Sequence, residues 1–112
     1  MIKRNMDLER LEKCVRNGPG VYQITMLANQ EELRNRAYEM TLAVIQPGCG
    51  SGFHTHDKNC EICFVLEGEL EARDDEITTV VKAGDVTVTK DGHGHCLVNK
   101  TDKPAKIISL II

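Results

Sequence analysis

The sequence has no tryptophan and only two phenylalanines and two tyrosines. A core organised by large aromatic side chains is therefore excluded, and Val, Ile, Leu and Met must fill the interior. No long hydrophobic run is present either. The longest aliphatic stretch, IISLII at residues 107–112, is far too short to cross a bilayer. The opening MIKRNMDLERLEK is charged throughout and lacks the apolar segment of an export signal. No basic stripe stands out, because 14 basic and 17 acidic residues are mixed along a chain of net charge −3. That pattern argues against nucleic acid and anionic lipid as partners. Five cysteines is an odd number, and without an export signal they read as free thiols rather than a disulfide framework. The expectation is a cytoplasmic chain with neither a nucleic-acid nor a membrane partner.

What is present is the balance of an ordinary folded domain: 112 residues, 41% hydrophobic and 28% charged. A chain of this length buries roughly 65% of its unfolded surface, enough for one core, so a single unit over 1–112 is expected. Leu8, Leu11 and Val15 recur at helical spacing behind Asn5 and Asp7, which predicts a short amphipathic helix over about 6–16, ended by RNGPG. From VYQITML onward the pattern changes to short β-like segments broken by Gly, Pro, Asn and Asp. Strands are predicted over about 21–27, 37–46, 53–57, 60–66, 69–73, 76–81, 85–89, 94–99 and 105–112. Such spacing predicts an all-β sandwich or barrel, with the core barrel over about 37–112.

One stretch carries chemistry: GFHTHDKNCEICFVLEG, residues 52–68. Alternate side chains of a strand share a face, so His54 and His56 point one way and Thr55 the other. DKN is a plausible turn into an antiparallel neighbour, which would bring Glu61 opposite the histidine pair. KDGHGHCLVN supplies His95 from a later strand, behind glycines that permit close approach. Three imidazoles and one carboxylate converging in this way suit a divalent transition metal.

Gly48, His54, His56, Glu61 and Gly68 resemble the first motif of the cupin superfamily, and Gly84, Gly92, His95 and Asn99 resemble the second. Lys90 stands where the second motif usually has proline, a departure that touches no ligand. The resemblance implies an antiparallel double-sheet jelly-roll barrel, one metal ion held by His54, His56, Glu61 and His95, and a homodimer. It does not imply one reaction, since the fold serves many.

The remaining candidates are weighed from strand parity. Cys60 and Cys63 form a C-x-x-C, but residues three apart in a strand face opposite ways, which argues against a shared zinc or redox site. Cys63 and Leu97 are expected to face inward near the metal as pocket walls. His93 is a further pocket candidate, set against the simpler reading of an exposed turn histidine. Tyr22 and Tyr38 could reach a pocket through their hydroxyls, against the simpler reading of structural tyrosines. No residue is assigned a catalytic role. An octahedral Fe, Mn or Ni ion would keep two positions free, whereas Zn would be nearly saturated by four ligands. The expected function is a metal-dependent enzyme, with dioxygenase or related oxidative or lyase chemistry, acting on a small organic molecule. The alternative is a non-catalytic sugar- or carboxylate-binding or sensor module.

Overall fold

The computed structural model describes all 112 residues, Met1–Ile112. A single 3-10 turn at Asn5–Asp7 precedes ten strands. These are β1 (Arg10–Lys13), β2 (Tyr22–Ala28), β3 (Glu39–Ile45), β4 (His54–Thr55), β5 (Glu61–Glu67), β6 (Glu69–Asp74), β7 (Ile77–Lys82), β8 (Val86–Thr89), β9 (Gly94–Val98) and β10 (Ala105–Ile111). They form a six-stranded sheet, in the order β1-β2-β3-β10-β5-β8, and a four-stranded sheet, β4-β9-β6-β7. Every pairing is antiparallel, as a jelly-roll barrel requires. No helix is long and apolar enough to cross a membrane.

The helix expected over 6–16 does not form. Arg10–Lys13 is instead an edge strand paired with β2, in register from Arg10↔Thr25 to Lys13↔Tyr22. All four of its residues are exposed, so no apolar stripe is buried that could stabilise so short a helix. Sheet pairing satisfies the same backbone groups without that stripe. Arg16 and Asn17 then turn the chain through left-handed backbone, at φ 50° and 59°.

Register lays out the inner face of the large sheet in rows of rising polarity. Tyr22, Ile45 and Ala105 form one row, and Ile24, Ala43, Ile107 and Val65 the next. Thr41, Ser109, Cys63 and Thr87 follow, and Glu39, Ile111, Glu61 and Thr89 make the last. The apolar rows pack on Leu70, Ala72, Val81 and Leu97 of the small sheet to form the core. The polar rows leave one end of the barrel chemically equipped.

Two motif residues shape the backbone around the barrel. Gly68 turns the chain between β5 and β6 at φ 81°, and a Cβ there would lie 2.8 Å from the carbonyl oxygen of Pro104. Asn99 is fully buried at the end of β9 and donates from Nδ2 to the carbonyls of Ile45 (2.8 Å) and Lys103 (2.7 Å). The expected DKN hairpin is not made. β4 pairs with β9 (His54↔His95), and residues 57–60 carry the chain across to the other sheet. The flanks of β5 are already taken by β10 and β8, and Cys60 exchanges both backbone bonds with Ile112.

Candidate metal centre

Both sheets contribute to the site. His54 and His95 are cross-strand partners on β4 and β9, His56 follows β4, and Glu61 opens β5 in the opposite sheet. His56 Nε2 lies 3.1 Å from His95 Nε2, which lies 3.1 Å from His54 Nε2. Glu61 Oε2 lies 3.2 Å from His56 Nε2 and 3.0 Å from His95 Nε2. The four candidate ligand atoms all fall within 4.8 Å of one another.

Three of the four donors, His54, His56 and Glu61, are held in orientation from behind. His54 Nδ1 donates to the carbonyl oxygen of Gly52 at 2.8 Å, and His56 Nδ1 donates to Asn59 Oδ1 at 2.6 Å. Each neutral ring therefore carries its proton on Nδ1 and presents a bare Nε2 to the centre. Glu61 Oε1 accepts from Ser109 Oγ at 2.7 Å and from Cys63 Sγ at 3.3 Å, which leaves Oε2 as the free oxygen. The bare Nε2 atoms of His54 and His56 have no proton to share, so their convergence with His95 Nε2 on a carboxylate oxygen fits a cation. His95 Nδ1 is buried without a protein partner. The same ring borders a second cavity, of about 220 Å3, walled by Ala72, Thr79, Val81 and Thr87.

Electrostatics favour the ligating forms. Burial lowers the pKa of His54, and the charges of His95 and Arg16 act in the same direction, outweighing the hydrogen bond to Gly52 and the charge of Glu61. Burial alone would raise the Glu61 carboxyl. Hydrogen bonding and charge at His95, with the bonds from Ser109 and Cys63, outweigh it and bring the pKa down to about 2. A neutral imidazole and an ionised carboxylate are the states that bind metal. Burial, reinforced by the charge of Glu61, pushes the Cys63 thiol well up, so it remains a protonated donor.

The four donors sit in a cavity of about 170 Å3. Leu97 is on its wall, as expected from parity. Cys63 is inward but lies behind Glu61 as its hydrogen-bond donor and does not line the cavity. His93 lies outside: its side chain is 54% exposed and its Nδ1 is 2.6 Å from Asp75 Oδ2. The glycines on either side free residue 93 from strand alternation, so it does not share the face of His95. Tyr22 is buried and borders the cavity, and burial raises its hydroxyl pKa, while Tyr38 is exposed. Sequence reasoning missed Asn59, Ser109, Glu39, Lys13 and Arg16. Alternation along Glu39-Thr41-Ala43-Ile45 could have found Glu39, and the same alternation along Ile107-Ser109-Ile111 could have found Ser109. Nothing local signals the other three.

The signature of the cupin domain matches residues 41–111. With the fold and donor set above, the chain belongs to the cupin superfamily. Among curated proteins it is similar to an oxalate-binding protein of Thermotoga maritima, 29% identical over 114 residues that span 100% of this chain and 93% of that protein. The crystal structure of a predicted oxalate decarboxylase, also from Thermotoga maritima, superposes with a TM-score of 0.94 at 27% identity, covering 100% of this chain and 98% of the other. A sugar phosphate isomerase of the cupin superfamily from Silicibacter pomeroyi gives a TM-score of 0.76 at 25% identity over 98% of this chain and 74% of that one.

Proposed function

We propose that this protein binds one divalent metal ion through His54, His56, Glu61 and His95, and binds a small dicarboxylate of the oxalate class at positions the protein leaves free on the ion. The observation that carries the reading is the set of four short spacings among the donors, 3.0–3.2 Å. For metal–ligand bonds of about 2.1 Å, neighbouring donors stand about 3.0 Å apart in an octahedron and about 3.4 Å in a tetrahedron. The spacing favours a six-coordinate ion such as Fe, Mn or Ni over Zn, and four protein donors then leave two positions for a ligand. The relatives support a small dicarboxylate as that ligand, and a cavity of about 170 Å3 accommodates one. Titrating oxalate into metal-loaded and metal-free protein tests the reading. Saturable binding to the loaded form alone is expected, and equal binding to both forms would overturn it.

Turnover of the bound acid is a second reading, favoured by Glu39. This carboxylate lines the cavity in the same row as Glu61 and is not a member of the donor group. A decarboxylation or lyase step needs a group that delivers or removes a proton beside the ligand, and Glu39 occupies that place. Product formation from oxalate that disappears in Glu39→Gln, with oxalate binding retained, distinguishes an enzyme from a binding module.

The protein is further proposed to act as a homodimer through the outer face of the large sheet. Leu42, Ile108, Phe64 and Val86 form one continuous apolar row on that face, and Met40, Leu110, Ile62 and Val88 form the next. Phe64, Val86 and Val88 are exposed in the single chain. A flat apolar face of this extent is covered best by its own copy related by twofold symmetry.

A further inference from the structure

The barrel supplies the metal donors, but one wall of the same cavity comes from the N-terminal segment, which precedes the matched cupin residues 41–111. Lys13 ends β1, and Arg16 follows in the turn; both residues are exposed and border the cavity that holds His54, Glu61 and His95. We propose that Arg16, assisted by Lys13, is the specificity-determining residue of this site. Its guanidinium takes the carboxylate oxygens that a dicarboxylate leaves off the metal. This inference rests on the carboxylate reading above and assigns the residue that makes it selective for dianions.

The turn that presents Arg16 is built onto the loop leading into His54. Gly52 N donates to Val15 O at 2.9 Å, Gly18 N donates to Val15 O at 3.0 Å, and Gly50 N donates to Pro19 O at 2.8 Å. Backbone packs directly on backbone here. A Cβ at residue 52 would fall 1.9 Å from the carbonyl oxygen of Arg16, and one at residue 18 would fall 2.4 Å from Gly52 N. Only glycine permits so close an approach. Arg16 itself is held at φ 50°, a conformation a long side chain rarely adopts. The segment is thus fixed two residues before the first histidine donor.

The cations have no protein partner. The ion pairs formed by lysine or arginine in the structure are Lys3–Glu32 and Lys106–Glu67, and neither Lys13 nor Arg16 donates a side-chain hydrogen bond. Charge balance shows what they can serve. A divalent ion with the ionised Glu61 carries a single net positive charge, which a monocarboxylate neutralises. A dianion leaves one negative charge over, and Arg16 is placed to meet it with paired N–H donors.

The test uses full-length, metal-loaded protein, with oxalate and acetate as probes in calorimetric titration. Asn is the substitution of choice at position 16, because it tolerates left-handed backbone and leaves the turn intact. Arg16→Asn is expected to weaken oxalate binding by about tenfold or more, the loss of a charge-assisted bond, and acetate binding by less than about threefold, with metal content unchanged. Arg16→Lys should recover part of the loss, and Lys13→Gln should show a smaller loss of the same kind. Equal losses for oxalate and acetate would reduce Arg16 to a general field and overturn the proposal, as would unchanged oxalate affinity in Arg16→Asn. The two failures are distinguishable. If the wild type binds neither probe, the carboxylate reading falls and this inference falls with it, whereas wild-type oxalate binding that Arg16→Asn leaves intact removes the Arg16 assignment alone.

Discussion

Asn59 Oδ1 lies 2.6 Å from His56 Nδ1, and this contact decides which nitrogen His56 turns toward the centre. Without it the ring is free to flip or change tautomer, and the metal meets a protonated nitrogen for part of the time. Asn59→Ala should lower metal affinity by about 10–100-fold, the usual cost of losing such a partner. Competition with a chelator of known affinity measures this. Unchanged affinity would mean that Asn59 has no positioning role.

Removing a donor itself has a larger effect on metal and a limited one on the fold. His56→Ala and His95→Ala should each lose most of the bound metal, read by elemental analysis of anaerobically purified protein. Both should keep the β-sheet circular dichroism and a cooperative melt, because the apolar rows around Ile45, Ile107 and Val65 do not depend on the site. Full occupancy in either variant would sink the four-ligand assignment. Cys60→Ser is expected to retain its metal, since Cys60 is not part of the converging donor group.

The converging group was legible from the alternation of one strand and from the motif resemblance, although the hairpin expected to bring Glu61 opposite the histidines does not form. His54 and His56 sit two apart, and Glu61 and His95 occupy motif positions whose spacing survives in one sequence. The inner rows were legible by alternation, as in Glu61, Cys63 and Val65. The N-terminal strand was not legible, because Leu8, Leu11 and Val15 match a helical period. Only the presence of β2 as a pairing partner decides between helix and edge strand. The crossing at residues 57–60 was hidden for a similar reason, since a three-residue polar stretch reads the same whether it turns a hairpin or changes sheets. Arg16 and Asn59 acquire meaning only when loops distant in sequence close on the same cavity.

Phe64 and Val86 face each other across β5 and β8 on the outer face, 39% and 54% exposed in the single chain. If a second copy covers them, Phe64→Lys should place a charge in a desolvated contact and convert the dimer to a monomer. Light scattering at micromolar concentration checks both states. A wild-type monomer would remove the dimer proposal. A dimeric Phe64→Lys protein would move the interface to another face.

The metal-free protein should lose stability in acid in two stages, and the signs follow from the shifts at the site. His54 has a pKa below its ordinary 6.5, so the folded state favours the neutral ring; that contribution is present above pH 6.5 and is lost as the pH falls below it. Glu61 is lowered from 4.5 to about 2, so its contribution is present above pH 4.5 and is lost as the pH falls toward 2. Thermal melting of chelator-treated protein should therefore show a shallow decline beginning near pH 6.5 and a steeper one below pH 4.5. Glu61→Gln separates the two, since its amide can still accept from Ser109 but does not titrate. The lower stage should flatten in Glu61→Gln while the upper one persists. If the melting temperatures of wild type and Glu61→Gln fall in parallel between pH 4.5 and 2, the ionised Glu61 does not stabilise the fold, and His95, with the hydrogen bonds from Ser109 and Cys63, does not hold it in the form that binds metal.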